Sequence, residues 1–106
     1  MFDFVSETPR FLTSLPASVM RCSGSDILIP SHATGGEVTW YKNSVKINSL
    51  INARLTVSKN GTLMIRNATL SDSGIFQVFA KNNEAEVSDA ILVSVKGKIL
   101  KKETSL

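Results

Sequence analysis

Apolar and polar residues alternate in short runs along most of the chain. Ile27 and Ile29 flank one residue, Leu63 and Ile65 do the same, and Ile91, Val93 and Val95 extend the pattern. A period of two sends alternate side chains to opposite faces, which is the pattern of half-buried β-strands. No segment keeps a helical period for long. Turn residues punctuate the runs at Ser23-Gly24-Ser25, Gly35-Gly36 and Lys59-Asn60-Gly61-Thr62. Strands are therefore predicted over about 9–12, 19–22, 38–42, 45–47 and 54–57, with others carrying Ile27 and Ile29, Leu63 and Ile65, and Ile91, Val93 and Val95. The Leu15-Pro16-Ala17 step is expected to shift the chain between sheets, since proline lacks a ladder donor and suits an edge or kink. Asn60-Gly61 predicts a hairpin with positive φ at both central residues.

Four segments then carry a resemblance. Asp72-Ser73-Gly74-Ile75-Phe76-Gln77-Val78-Phe79-Ala80-Lys81-Asn82 resembles strand F of immunoglobulin domains, whose run is Asp-Ser/Ala-Gly-x-Tyr-x-Cys-x-Ala-x-Asn. Trp40, within Val38-Thr39-Trp40-Tyr41-Lys42-Asn43, resembles the core tryptophan of strand C. Gly61-Thr62-Leu63-Met64-Ile65 is similar to strand E, and Gly24 through Gly35 is similar to strand B. The resemblance covers about residues 9–97. It implies an all-β fold, an immunoglobulin-like antiparallel sandwich of Greek-key topology and I-set type. It also implies that Ser31 and Val78 stand where the family has its inter-sheet cysteines, so no intradomain disulfide is expected. Phe76 stands for the corner tyrosine without its hydroxyl, and Arg54 at the start of strand D is implied to pair with Asp72. Ala85 stands where glycine is common, which leaves Asn82 or Asn83 to supply a left-handed residue in the last turn.

Composition adds bounds. With 106 residues, this is expected to be one domain, with an extension at 1–8, the body at 9–97 and a tail at 98–106. The longest apolar runs are far short of the roughly 20 residues that span a bilayer. No charged stretch followed by a long apolar one opens the chain, so a secreted parent would make this an excised module. A net charge of +3, with lysines gathered only at 96, 98, 101 and 102, gives no nucleic-acid footprint. Cys22 is the single cysteine. It reads as a small, partly buried strand residue, or else as a reactive thiol or intermolecular bridge, and a lone cysteine fits a reducing compartment better than a secreted one.

Catalytic chemistry finds little to build on. His32 is the single histidine and is expected to face outward, away from an inward Ser31, so no triad can converge. Glu84 and Glu86 are too few for a metal site, and Gly35-Gly36 lacks the lysine and helix of a phosphate loop. No cofactor and no small-molecule substrate are expected. Burying Ser31 demands a partner for its hydroxyl, and a backbone carbonyl is the expected acceptor.

The alternate positions on the sheet of strands C, F and G place Tyr41, Ile75, Phe79 and Leu92 outside. They form a protein interface, scattered surface hydrophobes, or a face covered by a neighbouring domain. Asn60-Gly61-Thr62 and Asn67-Ala68-Thr69 are glycosylation sequons, though about 1.5 such triplets are expected by chance in this composition. Thr104-Ser105-Leu106 resembles a PDZ-binding terminus. Two functional readings follow. One is a protein-binding module of an extracellular adhesion or receptor protein, resembling the sidekick and contactin groups, with homophilic, heterophilic or neighbouring-domain partners. The other is an intracellular structural module of a muscle or cytoskeletal filament.

Overall fold

The structure, a computed structural model, describes residues 8–97. The rest of the expected N-terminal extension, the whole tail and the PDZ-like terminus lie outside the described residues. Among the described residues, ten strands form a sandwich. They are β1 Arg10–Phe11, β2 Ser18–Cys22, β3 Ile27–Ile29, β4 Ala33–Thr34, β5 Glu37–Lys42, β6 Val45–Lys46, β7 Leu55–Val57, β8 Leu63–Ile65, β9 Gly74–Lys81 and β10 Glu86–Lys96. One sheet runs β2-β10-β9-β5-β6 and the other β3-β8-β7, while β1 pairs with β4. Between them lies a core of Ile27, Ile29, Leu63 and Ile65 from one side, and Trp40, Phe76, Val78, Ile91, Val93 and Val95 from the other. The period-two pattern put these residues inward, and burial of each such side chain contributes about 1.5–3 kcal/mol.

The proline step works as a transfer between sheets. β1 pairs antiparallel with β4, and β2 pairs parallel with β10. Between them the Asp89 carboxylate accepts the Leu15 N–H at 2.8 Å, and the Ala17 carbonyl accepts the Leu92 N–H at 3.0 Å. These bonds satisfy one backbone donor and one acceptor on either side of Pro16.

Several local expectations are corrected. The run 24–35 is two strands, not one. It breaks at Pro30-Ser31-His32, where His32 takes a φ of 47°. In the 58–62 turn only Gly61 has positive φ, at 90°. Asn60 instead acts through its side chain, whose Oδ1 accepts from the Thr62 N–H at 3.1 Å and from the Ser58 hydroxyl. Neither Asn82 nor Asn83 is left-handed. The Asn82 Oδ1 accepts the N–H groups of Glu84 and Ala85 at 2.8 and 2.9 Å, so a side chain closes the turn without a left-handed residue. The unforeseen left-handed pair is Asn43 and Ser44, the two-residue connection from β5 to β6. Cys22 is exposed rather than partly buried.

The cysteine-position replacements both lie inside. Val78 is fully buried opposite Trp40 in the β9–β5 register. Ser31 is 1% exposed, and its Oγ has no hydrogen-bond partner, contrary to the expected carbonyl bond. A Cβ built on Gly61 would come within 2.5 Å of Ser31 Oγ, so the hydroxyl is turned against the bare Cα of a glycine, which offers no acceptor.

At the other end of the core, Arg54 grips Asp72 through two hydrogen bonds of 2.8 and 3.0 Å. Arg54 also donates to the carbonyls of Arg66 and Asn67. Asp72 ends a short 3-10 turn, Leu70–Asp72, and accepts the Thr69 N–H at 2.7 Å. Burial alone would raise the pKa of this carboxyl, but the hydrogen bonds from Arg54 and Thr69 outweigh it and hold the pKa below the ordinary value.

Two outcomes are expected. Because the folded-state pKa of Asp72 is depressed, its contribution is fully present above the ordinary value of 3.8 and is lost as pH falls below it. Denaturant melts of Asp72→Asn should show a loss of about 1.5–3 kcal/mol at neutral pH, the range for hydrogen bonds to charged groups. The gap to wild type should close in acid below pH 3.8; a gap that persists there would assign the loss to packing. Ser31→Ala removes an unpaired buried hydroxyl. It should raise stability by about 1 kcal/mol, or about 4–8 °C in Tm for a domain of this size, and a lower Tm would show that the hydroxyl is satisfied in solution.

Candidate protein-interaction face

Register determines what the outer surface of the five-stranded sheet presents. Moving along the sheet, Glu37, Lys81 and Glu86 align as one row across β5, β9 and β10. Thr39, Phe79 and Ser88 form the next row, then Tyr41, Gln77 and Ala90, and then Ile75 opposite Leu92. Lys46 on β6 lies beside Tyr41. The structure therefore places the four expected residues on one face. Tyr41 and Phe79 meet edge to face, with centroids 5.3 Å apart and planes at 78°, a geometry aromatic rings favour. Ile75 is 52% exposed and Leu92 45%.

The parallel strand β2 adds a residue that sequence reasoning missed. Met20 pairs with Ser94, one outward position from Leu92, and is 60% exposed. Met20, Leu92, Ile75 and Tyr41 thus form a diagonal apolar band across β2, β10, β9 and β5. The sequence held a signal in the alternation Val19 inward, Met20 outward. Assigning it to this face needed the long-range β2–β10 pairing, which no local pattern reveals.

The electrostatics divide this face. The charged row of Glu37, Lys81 and Glu86 frames the aromatic pair on one side, and the apolar band leads away on the other. Such a surface can bury aliphatic and aromatic groups of a macromolecule and fix orientation through the charged row. It offers no convergence of nucleophile, base and acid. Among the described residues no group of three or more His, Cys, Asp or Glu side chains is placed to hold a metal ion.

The other expected sites lie elsewhere. Asn60 and Asn67 are both exposed, on the turns that precede and follow β8. They belong to the smaller sheet's surface and ends, away from the diagonal band. The Asn67 backbone is held in a left-handed conformation, φ 50°, by its N–H bond to Asp26 and its carbonyl bond to Arg54. His32 is exposed, and Phe76, Trp40 and Val78 are core residues.

Similarity to known proteins agrees with this architecture. Residues 9–95 match the family described as immunoglobulin I-set domain. The chain is 36% identical over 84 residues to the peroxidasin homolog of Homo sapiens, covering 76% of this chain and 6% of that protein. It is 36% identical over 89 residues to protein sidekick-1 of Mus musculus, covering 81% of this chain and 4% of that protein. Among solved structures, sidekick-1 immunoglobulin domains 1–5 align with a TM-score of 0.80 and 32% identity, over 84% of this chain and 19% of that one. The titin domains z1z2 in complex with telethonin align at 0.79 with 23% identity over 90% of this chain and 51% of that one, a likeness of fold. The chain thus spans about one twentieth of the length of these curated relatives. With its two-sheet sandwich, its core tryptophan and the match over residues 9–95, the chain belongs to the immunoglobulin I-set family.

Proposed function

We propose that this domain is a non-enzymatic protein-binding module, one unit of a larger cell-surface adhesion or receptor protein. The observation that carries the reading is the diagonal apolar band with its aromatic pair. Large contiguous apolar patches on a sheet face signal protein contact more often than chance. The similarity to sidekick-1, seen in both sequence and structure, supports an adhesion role. Both sequons lie off the band, so glycans there would leave the binding face bare. Tyr41, Ile75, Phe79 and Leu92, joined by Met20, are the proposed interface, with a protein as partner.

One observation favours the second reading, a structural module inside the cell. The chain has a single cysteine and so makes no internal disulfide, which is the habit of reducing compartments.

Charge on the band tests the interface. Phe79→Glu and Ile75→Asp should each abolish association, followed by bead aggregation for self-binding and by binding to neighbouring domains of the parent chain. Ile75→Asp should leave Tm nearly unchanged, while Phe79→Glu forfeits a ring contact of about 0.5–1.5 kcal/mol. Variants that associate as well as wild type would remove the band from the interface. Intact mass of protein secreted from a eukaryotic host separates the compartments. At least one glycan is expected, lost in stages on Asn60→Gln and Asn67→Gln; a wholly unmodified product would favour the intracellular reading.

A further inference from the structure

A second apolar surface lies at the far edge of the sandwich. β6 ends the larger sheet and β7 ends the smaller one. A groove of about 360 Å³ runs between these two edges. Its floor is Ile47, packed on the core, and the buried Leu55. Its walls are Val45, 69% exposed, and Ile51, 84% exposed. Lys42 and Lys46 stand on its rim.

The groove's own lining carries Lys42 and Lys46 and no carboxylate, although Lys46 also borders Glu37 and Glu86 on the outer face of the larger sheet. Between Glu37 and Asp72 the chain carries Lys42, Lys46, Arg54, Lys59 and Arg66 and neither aspartate nor glutamate. Asp72 is engaged by Arg54, and Lys42 donates to the Ser71 carbonyl at 2.7 Å. Lys46 has no ion-pair partner among the described residues.

We propose that this groove docks a peptide segment of a protein partner in which a branched aliphatic side chain is flanked by carboxylates. The aliphatic group fills the space between Val45, Ile51 and the Ile47–Leu55 floor. The carboxylates meet Lys46 and Lys42 at the rim, where charge-assisted hydrogen bonds are strongest against a partly apolar wall. A second copy fits poorly, because a two-fold contact through this groove sets Lys46 against its own equivalent. A flat anionic bilayer would meet the protruding Leu50 and Ile51 but leave the concave floor unfilled.

The test is an amide chemical-shift titration of the 106-residue chain with the capped peptide Asp-Glu-Ile-Leu-Asp-Glu. A capped Lys-Lys-Ile-Leu-Lys-Lys peptide and phosphatidylserine–phosphatidylcholine vesicles form separate arms. Shifts confined to residues 42–55, with the acidic peptide alone, are expected. Ile51→Asp and Lys46→Glu should each weaken binding about tenfold or more, equivalent to about 1.4 kcal/mol, with Tm unchanged. Phe79→Glu should leave this binding intact, which separates it from the diagonal band. Equal response to both peptides, shifts outside 42–55, variants that bind like wild type, or no response at all would overturn the proposal. A response to vesicles without one to the acidic peptide would overturn it in favour of a membrane surface.

Discussion

The Trp40 indole reaches across the sandwich and donates to the Gly61 carbonyl in the turn between β7 and β8 of the opposite sheet, a 2.7 Å bond inside the core. Much of the interior is arranged around this bridge. Gly61 must be glycine, because its φ is positive and a Cβ would collide with Ser31. Ser31 must be small, because it lies against that glycine. Val78 fills the place opposite the indole in the neighbouring strand. A buried hydrogen bond cannot match a covalent bridge in its effect on the unfolded chain. It does fix the rotation of the largest core side chain, and with it the spacing of the sheets.

Arg54 and Asp72 play a complementary part at the other end. The carboxylate is almost fully buried, and the guanidinium is about one third exposed. Exposed ion pairs contribute little, but this carboxylate also orders the Thr69 N–H, and the guanidinium holds two carbonyls of the turn after β8. Its value is to satisfy polar backbone where the chain crosses from one sheet to the other. One neutral tie and one charged tie therefore bracket a core that has no crosslink.

Much of this was legible in the sequence because it depends on local alternation. Ile27, Ile29, Leu63, Ile65 and the Ile91–Val95 series declared their inward faces, and those faces placed Tyr41, Ile75, Phe79 and Leu92 outside. Turn chemistry was less legible. Asn82 and Asn60 act through side-chain acceptors rather than left-handed backbones, and one residue type serves both purposes. The break at His32 accompanies the long-range pairing of β1 with β4, where the Leu12 N–H reaches the His32 carbonyl, which local pattern does not encode. Met20 and the β6–β7 groove required knowing which strands are edges. Ser31 differs for another reason: its hydroxyl faces the Cα of Gly61, a contact made by the fold and not encoded in local alternation.

The parallel pairing of β2 with β10 has a mechanical consequence. Thr8 and Pro9 lie beside Gly35 at one end of the sandwich, and the chain leaves past Lys96, whose carbonyl holds Ser23 at the other. Traction on the two termini pulls Ser18–Cys22 backward against a forward-pulled Leu92–Lys96. The load then runs along the strands and is shared by all the rungs between them, so they yield together instead of unzipping in turn. A domain strung in a tandem array would transmit tension through this seam, which one end of the diagonal band shares through Met20 and Leu92, while the β6–β7 groove stands clear of it.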